Sequence, residues 1–407
     1  MNDENQTYHF LPGALALYFS YAMLGIASSI LSQYKAQFAS NWGAQQLSNG
    51  PVDVSMVVSV IAAFGLGRLI AYPFAGPVSD HFGRKVSGTI GIGLYVIFFI
   101  GIITVNSFWA AYLIGILNGM ANSFLDTCVS PSLMEMFPES ASIANLLTKF
   151  AVVTAQFILP FFIGGVAAAG LSFRTIFIIC GVALAADAIA IIVFPFPKRE
   201  KPQLNAAGTP EKMHFSIGSV AAILIGFTSS TTFMVWLNCN QELGAAYGVK
   251  NPATLQSLYA VGAGIAVLLT ARLIKAGLKE STVLILYPTI AVVMLALCYF
   301  VQTPVILYIG SFVIGYAAAG GVLQLATSTT ISFFPSHKGT ATSLVMIASS
   351  IANYAVLSAA AGLTKAFGDA APRMIILLNI VITIGGIGLA LVVKTQEKHV
   401  LAVSQVH

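Results

Sequence analysis

Charged residues are scarce in this sequence: Asp, Glu, Lys and Arg make up 8% of 407 residues, against about 25% in ordinary soluble domains. So little charge cannot cover a water-soluble surface of this size, which excludes a soluble multidomain enzyme. High apolar content equally excludes a disordered chain. Cysteine is sparse too. Cys128, Cys180, Cys239 and Cys298 all fall within or at the ends of apolar stretches, so they form no disulfide framework. The six histidines, His9, His81, His214, His337, His399 and His407, lie in tails or near stretch ends. No H-x-x-x-H, C-x-x-C or carboxylate cluster is available to hold a metal, and no Gly-rich loop ending in Lys-Ser/Thr is available for ATP. The expectation is a protein without cofactor or metal, and not an enzyme.

What the chain has is hydrophobicity: 57% apolar residues and a mean hydropathy of +0.87. A helix needs about 20 apolar residues to cross a bilayer. Twelve such stretches lie near 11–33, 53–75, 87–105, 108–131, 143–168, 174–195, 216–238, 254–275, 282–301, 305–330, 341–364 and 374–393. Continuous apolar runs predict helices rather than the alternating strands of a membrane barrel. The predicted fold class is therefore an all-α membrane protein with twelve transmembrane helices, and the lipid bilayer is its first partner.

The formal net charge of +5 then reads as topology, not as affinity for nucleic acid. With the N-terminus in the cytoplasm, the inner side collects 13 basic residues: Arg84, Lys85, Lys149, Lys198, Arg199, Lys201, Lys212, Arg272, Lys275, Lys279, Lys338, Lys394 and Lys398. The outer side collects five, Lys35, Arg174, Lys250, Lys365 and Arg373. This bias places both termini in the cytoplasm of a cell-membrane protein. The opening Met1-Asn2-Asp3-Glu4 lacks a basic segment, so no cleavable leader is expected.

The longest hydrophilic connection, 196–215, follows six stretches and precedes six more. It marks a cytoplasmic linker between an N-terminal half, 1–195, and a C-terminal half, 216–407. Phe137-Pro138 and Phe334-Pro335 recur at an offset of 197, and Gly65 and Gly67 match Gly262 and Gly264 at the same offset. Tyr112 and Gly119 match Tyr308 and Gly315 at 196. Two parallel copies predict a carrier whose halves rock around a midplane site, working as a functional monomer.

Between the second and third stretches stands Gly76-Pro77-Val78-Ser79-Asp80-His81-Phe82-Gly83-Arg84-Lys85. This resembles motif A of the major facilitator superfamily, G-x-x-x-D-R/K-x-G-R/K-R/K, departing from it at His81. Gly76 and Gly83 permit a tight turn and close backbone approach. Asp80 can face the positive N-terminus of another helix, and Arg84 needs a carboxylate, for which Glu135 is the candidate. The resemblance implies a conformational latch made of Gly76, Asp80, Gly83, Arg84, Lys85 and Glu135. A second family pattern, motif C of proton antiporters, is poorly matched by Leu159-Pro160-Phe161-Phe162-Ile163-Gly164-Gly165, which counts against a drug antiporter.

Charges inside spans are costly and mark functional sites. Arg68, Asp126, Lys149 and Asp187 each lie about 10–12 Å from the cytoplasmic end of their helix, at about 1.5 Å per residue. The C-terminal half has no acid deep in a span. The resemblance implies a cavity lined by spans 1, 4, 7 and 10. Asp126 on span 4 is therefore the proton-coupling candidate, with Arg68 as the cation that tunes it or as a grip on a substrate carboxylate. Alternatively, Asp126 forms a permanent salt bridge with Arg68 or Lys149. Lys149 and Asp187 are expected to form a structural ion pair.

Amides and hydroxyls beside aromatic rings suit a small polar solute. The substrate-binding candidates are Arg68, Tyr21, Asn118, Asn122, Trp236, Asn238, Gln324 and Asn353. The expected function is proton-coupled symport of a sugar, polyol or organic acid by alternating access. The alternatives are a proton-driven antiporter exporting drugs or metabolites, and a solute receptor that does not transport.

Overall fold

The computed structural model describes residues 3–43, 55–197, 213–367 and 370–404. The linker basic residues Lys198, Arg199, Lys201 and Lys212 lie outside the described residues, as do the side chains of Lys365 and Lys398. The helices are α1 (Asp3–Gln33), α2 (Lys35–Asn41), α3 (Ser55–Phe82), α4 (Arg84–Thr104), α5 (Phe108–Met136), α6 (Ala141–Ala168) and α7 (Arg174–Val193). They continue as α8 (Ile217–Ala246), α9 (Ala253–Lys275), α10 (Glu280–Phe300), α11 (Pro304–Ala319), α12 (Val322–Phe333), α13 (Lys338–Phe367) and α14 (Ala371–Ser404). Among the described residues there is no strand. Within the described residues, twelve segments are long and apolar enough to cross a membrane. In hydrocarbon every backbone N–H and C=O must be paired within its own segment, which is why apolar runs become helices.

Two compact units emerge. The first gathers the described parts of Met1–Ala141, Ala151–Lys201 and Lys338–Ser343. The second gathers those of Ser142–Phe150, Pro202–His337 and Leu344–His407. Each unit thus includes a short segment from the other sequence half: the first turns of α13 in unit 1, and the first turns of α6 in unit 2.

The duplication is visible in the packing. In unit 1, α3 lies on α5 and α4 on α7; in unit 2, α9 lies on α11 and α10 on α14. Gly67 and Gly119 form the α3–α5 crossing, where an added Cβ would collide with the Ile116 and Phe64 carbonyls. Gly262 and Gly315 form the α9–α11 crossing, against the Phe312 and Tyr259 carbonyls. The equivalent of Gly67 is therefore Gly262, at an offset of 195 rather than the expected 197. Gly65 has open space where its Cβ would be. The Phe-Pro repeat keeps its offset of 197 down to the backbone angles. Phe137 (φ −128°, ψ 66°) and Phe334 (φ −132°, ψ 63°) each lead into a one-turn 3-10 helix, Pro138–Ser140 and Pro335–His337.

The tenth apolar stretch is not one helix. It breaks at Gly320-Gly321, where Gly321 adopts φ +100°, a value that favours glycine. A Cβ at Gly321 would also strike the Leu146 side chain of α6, so glycine is required twice over.

Candidate functional site

In unit 1, α5 carries Asn118, Asn122 and Asp126 at four-residue spacing, which stacks them on one face. All three are buried. Asp126 Oδ1 accepts from the Tyr21 hydroxyl of α1 at 2.5 Å and from Asn122 Nδ2 at 3.1 Å. Its Oδ2 accepts from the Tyr72 hydroxyl of α3 at 2.5 Å. The Tyr72 oxygen in turn accepts from Arg68 Nε at 3.2 Å and Nη2 at 3.1 Å. The Arg68 guanidinium also lies 5.6 Å from the Phe64 ring centre and 5.4 Å from that of Tyr72, within cation–π range.

The Arg68 contact with Asp126 expected from sequence therefore runs through a tyrosine. That inserted hydroxyl has a chemical consequence. While Asp126 is ionised, Tyr72 donates to it and accepts from Arg68. A proton on Oδ2 would need Tyr72 as its acceptor, and would displace the tyrosine hydrogen that now points there. The protonation state of Asp126 is thus linked to the Arg68 contact through one side chain.

Unit 1 buries a second acid inside a span. Asp187 on α7 accepts from Ser20 of α1 at 2.5 Å. Lys149 belongs to the α6 segment grouped with unit 2 and lies over the Phe233 ring, 5.7 Å from its centre. Ser20 and Tyr21, adjacent on α1, hold two buried carboxylates of unit 1, Asp187 and Asp126.

The motif A residues form a second cluster, and most of them lie on helix rather than loop. α3 continues through Phe82, and the whole turn into α4 is Gly83 at φ +100°. Gly76 is therefore not a turn residue. It sits where a Cβ would meet the Gly339 carbonyl at 2.8 Å and Thr340 Cα at 2.7 Å, so it admits the start of α13. Asp80 Oδ1 accepts from Gly339 N at 2.8 Å, and Oδ2 accepts from Thr340 N at 2.8 Å and Thr340 Oγ1 at 2.7 Å. The two backbone N–H groups are orphan donors of the first turn of α13, so Asp80 caps that helix from another one.

Arg84 binds Asp80 at 2.6 Å and Glu135 at 3.1 Å, and Lys338 reaches Glu135 at 3.3 Å. Lys85 stands apart. It donates to the Ile192 carbonyl at 2.8 Å, in the last turn of α7, where a cation suits the helix dipole. His81 is exposed and stacks edge-on against Phe82.

The remaining predicted residues lie on α5, α8, α12 and α13. Trp236 is buried and, with Asn240, Leu243, Ile376 and Asn379, lines a crevice between α8 and α14. Asn238 is exposed and donates to the Met234 carbonyl of its own helix at 2.8 Å. Gln324 contributes its backbone carbonyl, which accepts from Asn145 Nδ2 at 2.8 Å. The side-chain carbonyls of Asn118 and Asn353 have no hydrogen-bond partner among the described residues.

The sequence reading missed Tyr72, Ser20 and Thr340, which no spacing rule singles out. It also missed Glu280, the first residue of α10. Glu280 accepts from the hydroxyls of Ser142 in α6, Ser328 at 3.1 Å and Thr329 at 3.3 Å. Glu280 corresponds to Arg84, the first residue of α4, at an offset of 196.

Residues 10–353 match the profile of the Major Facilitator Superfamily. The chain belongs to this superfamily. Its relatives and fold are those of transporters, not enzymes. This superfamily member is 34% identical over 354 residues to the inner membrane transport protein YdiM of Escherichia coli K12, covering 85% of this chain and 86% of YdiM. It is 30% identical over 365 residues to the uncharacterized MFS-type transporter YfkL of Bacillus subtilis 168, covering 88% and 90% respectively. Among solved structures, the proton:xylose symporter XylE aligns with a TM-score of 0.72 at 14% identity, covering 93% of this chain and 95% of that one. FucP in its outward conformation aligns with a TM-score of 0.68 at 15% identity, covering 91% and 98%. These structural likenesses show the superfamily fold.

Proposed function

We propose that this transporter is a proton-coupled symporter of a small polar metabolite, a sugar, polyol or organic acid, with Asp126 as the proton carrier. The observation that carries the reading is the Tyr21–Asp126–Tyr72–Arg68 chain. It is a buried carboxylate held by neutral donors, with its cation one hydroxyl away. Such an acid can change protonation without first breaking a direct ion pair, which in a low-dielectric interior is strongly opposed. Two fold relatives, the fucose:proton symporter FucP and the proton:xylose symporter XylE, are consistent with this reading.

Proton arrival at Asp126 makes Tyr72 an acceptor, turns its hydroxyl hydrogen away from the carboxyl and loosens Arg68. Solute binding and the proton thereby favour the same rearrangement, and release of both resets the site. The Asp80 and Arg84 cluster acts as the latch that must let go of α13 once per cycle. The bias of basic residues puts that latch, and both termini, on the cytoplasmic side of the cell membrane. The protein works as a monomer on a small-molecule substrate and a proton, with no nucleic acid partner.

The test is Asp126→Asn in proteoliposomes. Accumulation against a gradient should disappear while solute exchange across the membrane continues. Accumulation at the wild-type level would remove Asp126 from the coupling role.

A further inference from the structure

Several cations of the apolar spans meet hydrogen-bond acceptors, and Lys149 contrasts with them. Arg68 donates to Tyr72, Arg84 to Asp80 and Glu135, and Lys85 to a carbonyl of α7. Lys149, the ninth residue of the 28-residue helix α6, has neither a carboxylate nor a hydrogen-bond acceptor among the described residues. Its ammonium instead faces the Phe233 ring at 5.7 Å. A lysine head group carries three donors, and a charge at membrane depth is costly unless compensated. An aromatic face supplies only part of that compensation.

The surroundings of Lys149 belong to unit 2. One turn earlier on α6, Asn145 is fully buried and donates to the Gln324 carbonyl, while its side-chain carbonyl has no partner among the described residues. Leu146 presses on Gly321, at the break between α11 and α12. Lys149 follows Leu146 by three residues on the same helical face. It therefore lies one turn along α6 from the side chain that meets interrupted backbone, the kind of place where transporter helices meet their solute.

The geometry points to Lys149 as the binding site for the anionic group of the transported solute, with the Phe233 ring packed against the solute's apolar flank. This rests on the transport reading above and deepens it: of the polar classes named there, it selects the carboxylic acids. A single lysine charge matches a monoanionic carboxylate. A phosphate dianion would leave one charge uncompensated inside the membrane. The site also removes the need for Arg68 to grip substrate, since Arg68 is engaged by Tyr72.

The experiment uses full-length protein in proteoliposomes with an inward proton gradient. They are exposed to a defined library of metabolite acids and their neutral counterparts, including gluconate with sorbitol and lactate with propane-1,2-diol. Sugar phosphates are included as a separate arm, and internal contents are read by mass spectrometry. The wild type should accumulate one or more carboxylates and exclude the matched alcohols. Lys149→Gln should reduce that accumulation about tenfold or more, the effect of leaving one partner of a charge pair alone. Lys149→Arg, which keeps the charge, should retain most of it and shows that the position tolerates substitution.

Accumulation of a neutral solute, or equal accumulation by wild type and Lys149→Gln, overturns the assignment of Lys149 and leaves the symport reading standing. Accumulation confined to phosphates overturns the choice of carboxylate. Carboxylate accumulation that persists after the proton gradient is collapsed sinks proton coupling while leaving Lys149 in place. No accumulation of any solute by the wild type sinks the transport reading, and this inference with it.

Discussion

Replacing Asp80 by Asn removes one charge and preserves the shape of the side chain, which isolates what the carboxylate does for α13. Asp80 accepts four hydrogen bonds: from Gly339 N, Thr340 N, Thr340 Oγ1 and Arg84. An asparagine keeps one acceptor oxygen and turns an NH2 group toward the remaining donors. At least two charge-assisted bonds are lost, each worth about 1.5–3 kcal/mol in such settings. Retained water contacts offset part of this, since the Asp80 side chain is 12% exposed. A net loss of about 3 kcal/mol corresponds to roughly a hundredfold shift in how often the first turn of α13 opens. Hydrogen exchange read on a peptide spanning residues 338–343 measures that opening directly. Exchange should accelerate by up to about a hundredfold in Asp80→Asn, with Asp80→Glu in between. An unchanged exchange rate in Asp80→Asn would refute the claim that this carboxylate holds the helix end.

Three further substitutions test other contacts. Tyr72→Phe removes the hydroxyl between Arg68 and Asp126, at a cost of about 1–3 kcal/mol for the buried groups left unpaired. Proton-driven uptake should fall while counterflow exchange persists, and unaltered uptake would show that the bridge is dispensable. Gly119→Ala and Gly315→Ala should each lower stability by about 1–3 kcal/mol through overpacking, while Gly65→Ala, which faces open space, should be near neutral; thermal unfolding in detergent ranks them. Gly321→Ala combines an unfavourable backbone angle, about 1–2 kcal/mol, with a clash against Leu146. Adding Leu146→Ala should relieve only the clash, and full rescue would mean that the backbone angle is relaxed at no cost.

Most of the architecture was legible because the bilayer imposes a single solution on long apolar runs. The twelve stretches, the Phe-Pro repeat and the motif A spacing all have recognisable counterparts in the helices. Asp126 stood out because an acid in a span is rare. Its partner Tyr72 did not, because tyrosine is ordinary material in membrane helices and its hydroxyl finds a role only in three dimensions. Ser20, the donor to Asp187, was hidden for a related reason: depth can be counted along a sequence, but the direction a residue faces cannot. The glycine matches were shifted by two residues because any Gly-rich helix offers several alignments, and only the crossing carbonyls select one. The interruption at Gly320-Gly321 was hidden among many glycines until the positive φ and the pressure from Leu146 singled it out.

The capping of α13 by Asp80 also orders events during synthesis. Thr340 lies 260 residues beyond Asp80. At about 5–20 residues per second, the ribosome delivers it roughly 13–50 s later. For that interval the carboxylate at the end of α3 has its neighbour Arg84 but not the helix it will cap. Ser142 waits in the same way for Glu280, 138 residues downstream. A newly made first half is therefore a partly finished object, with its most distant contacts closing last. Truncation just before α13 should leave a chain that inserts normally and closes the Ser142–Glu280 contact, yet exposes the Asp80 end of α3 to proteases and quality control.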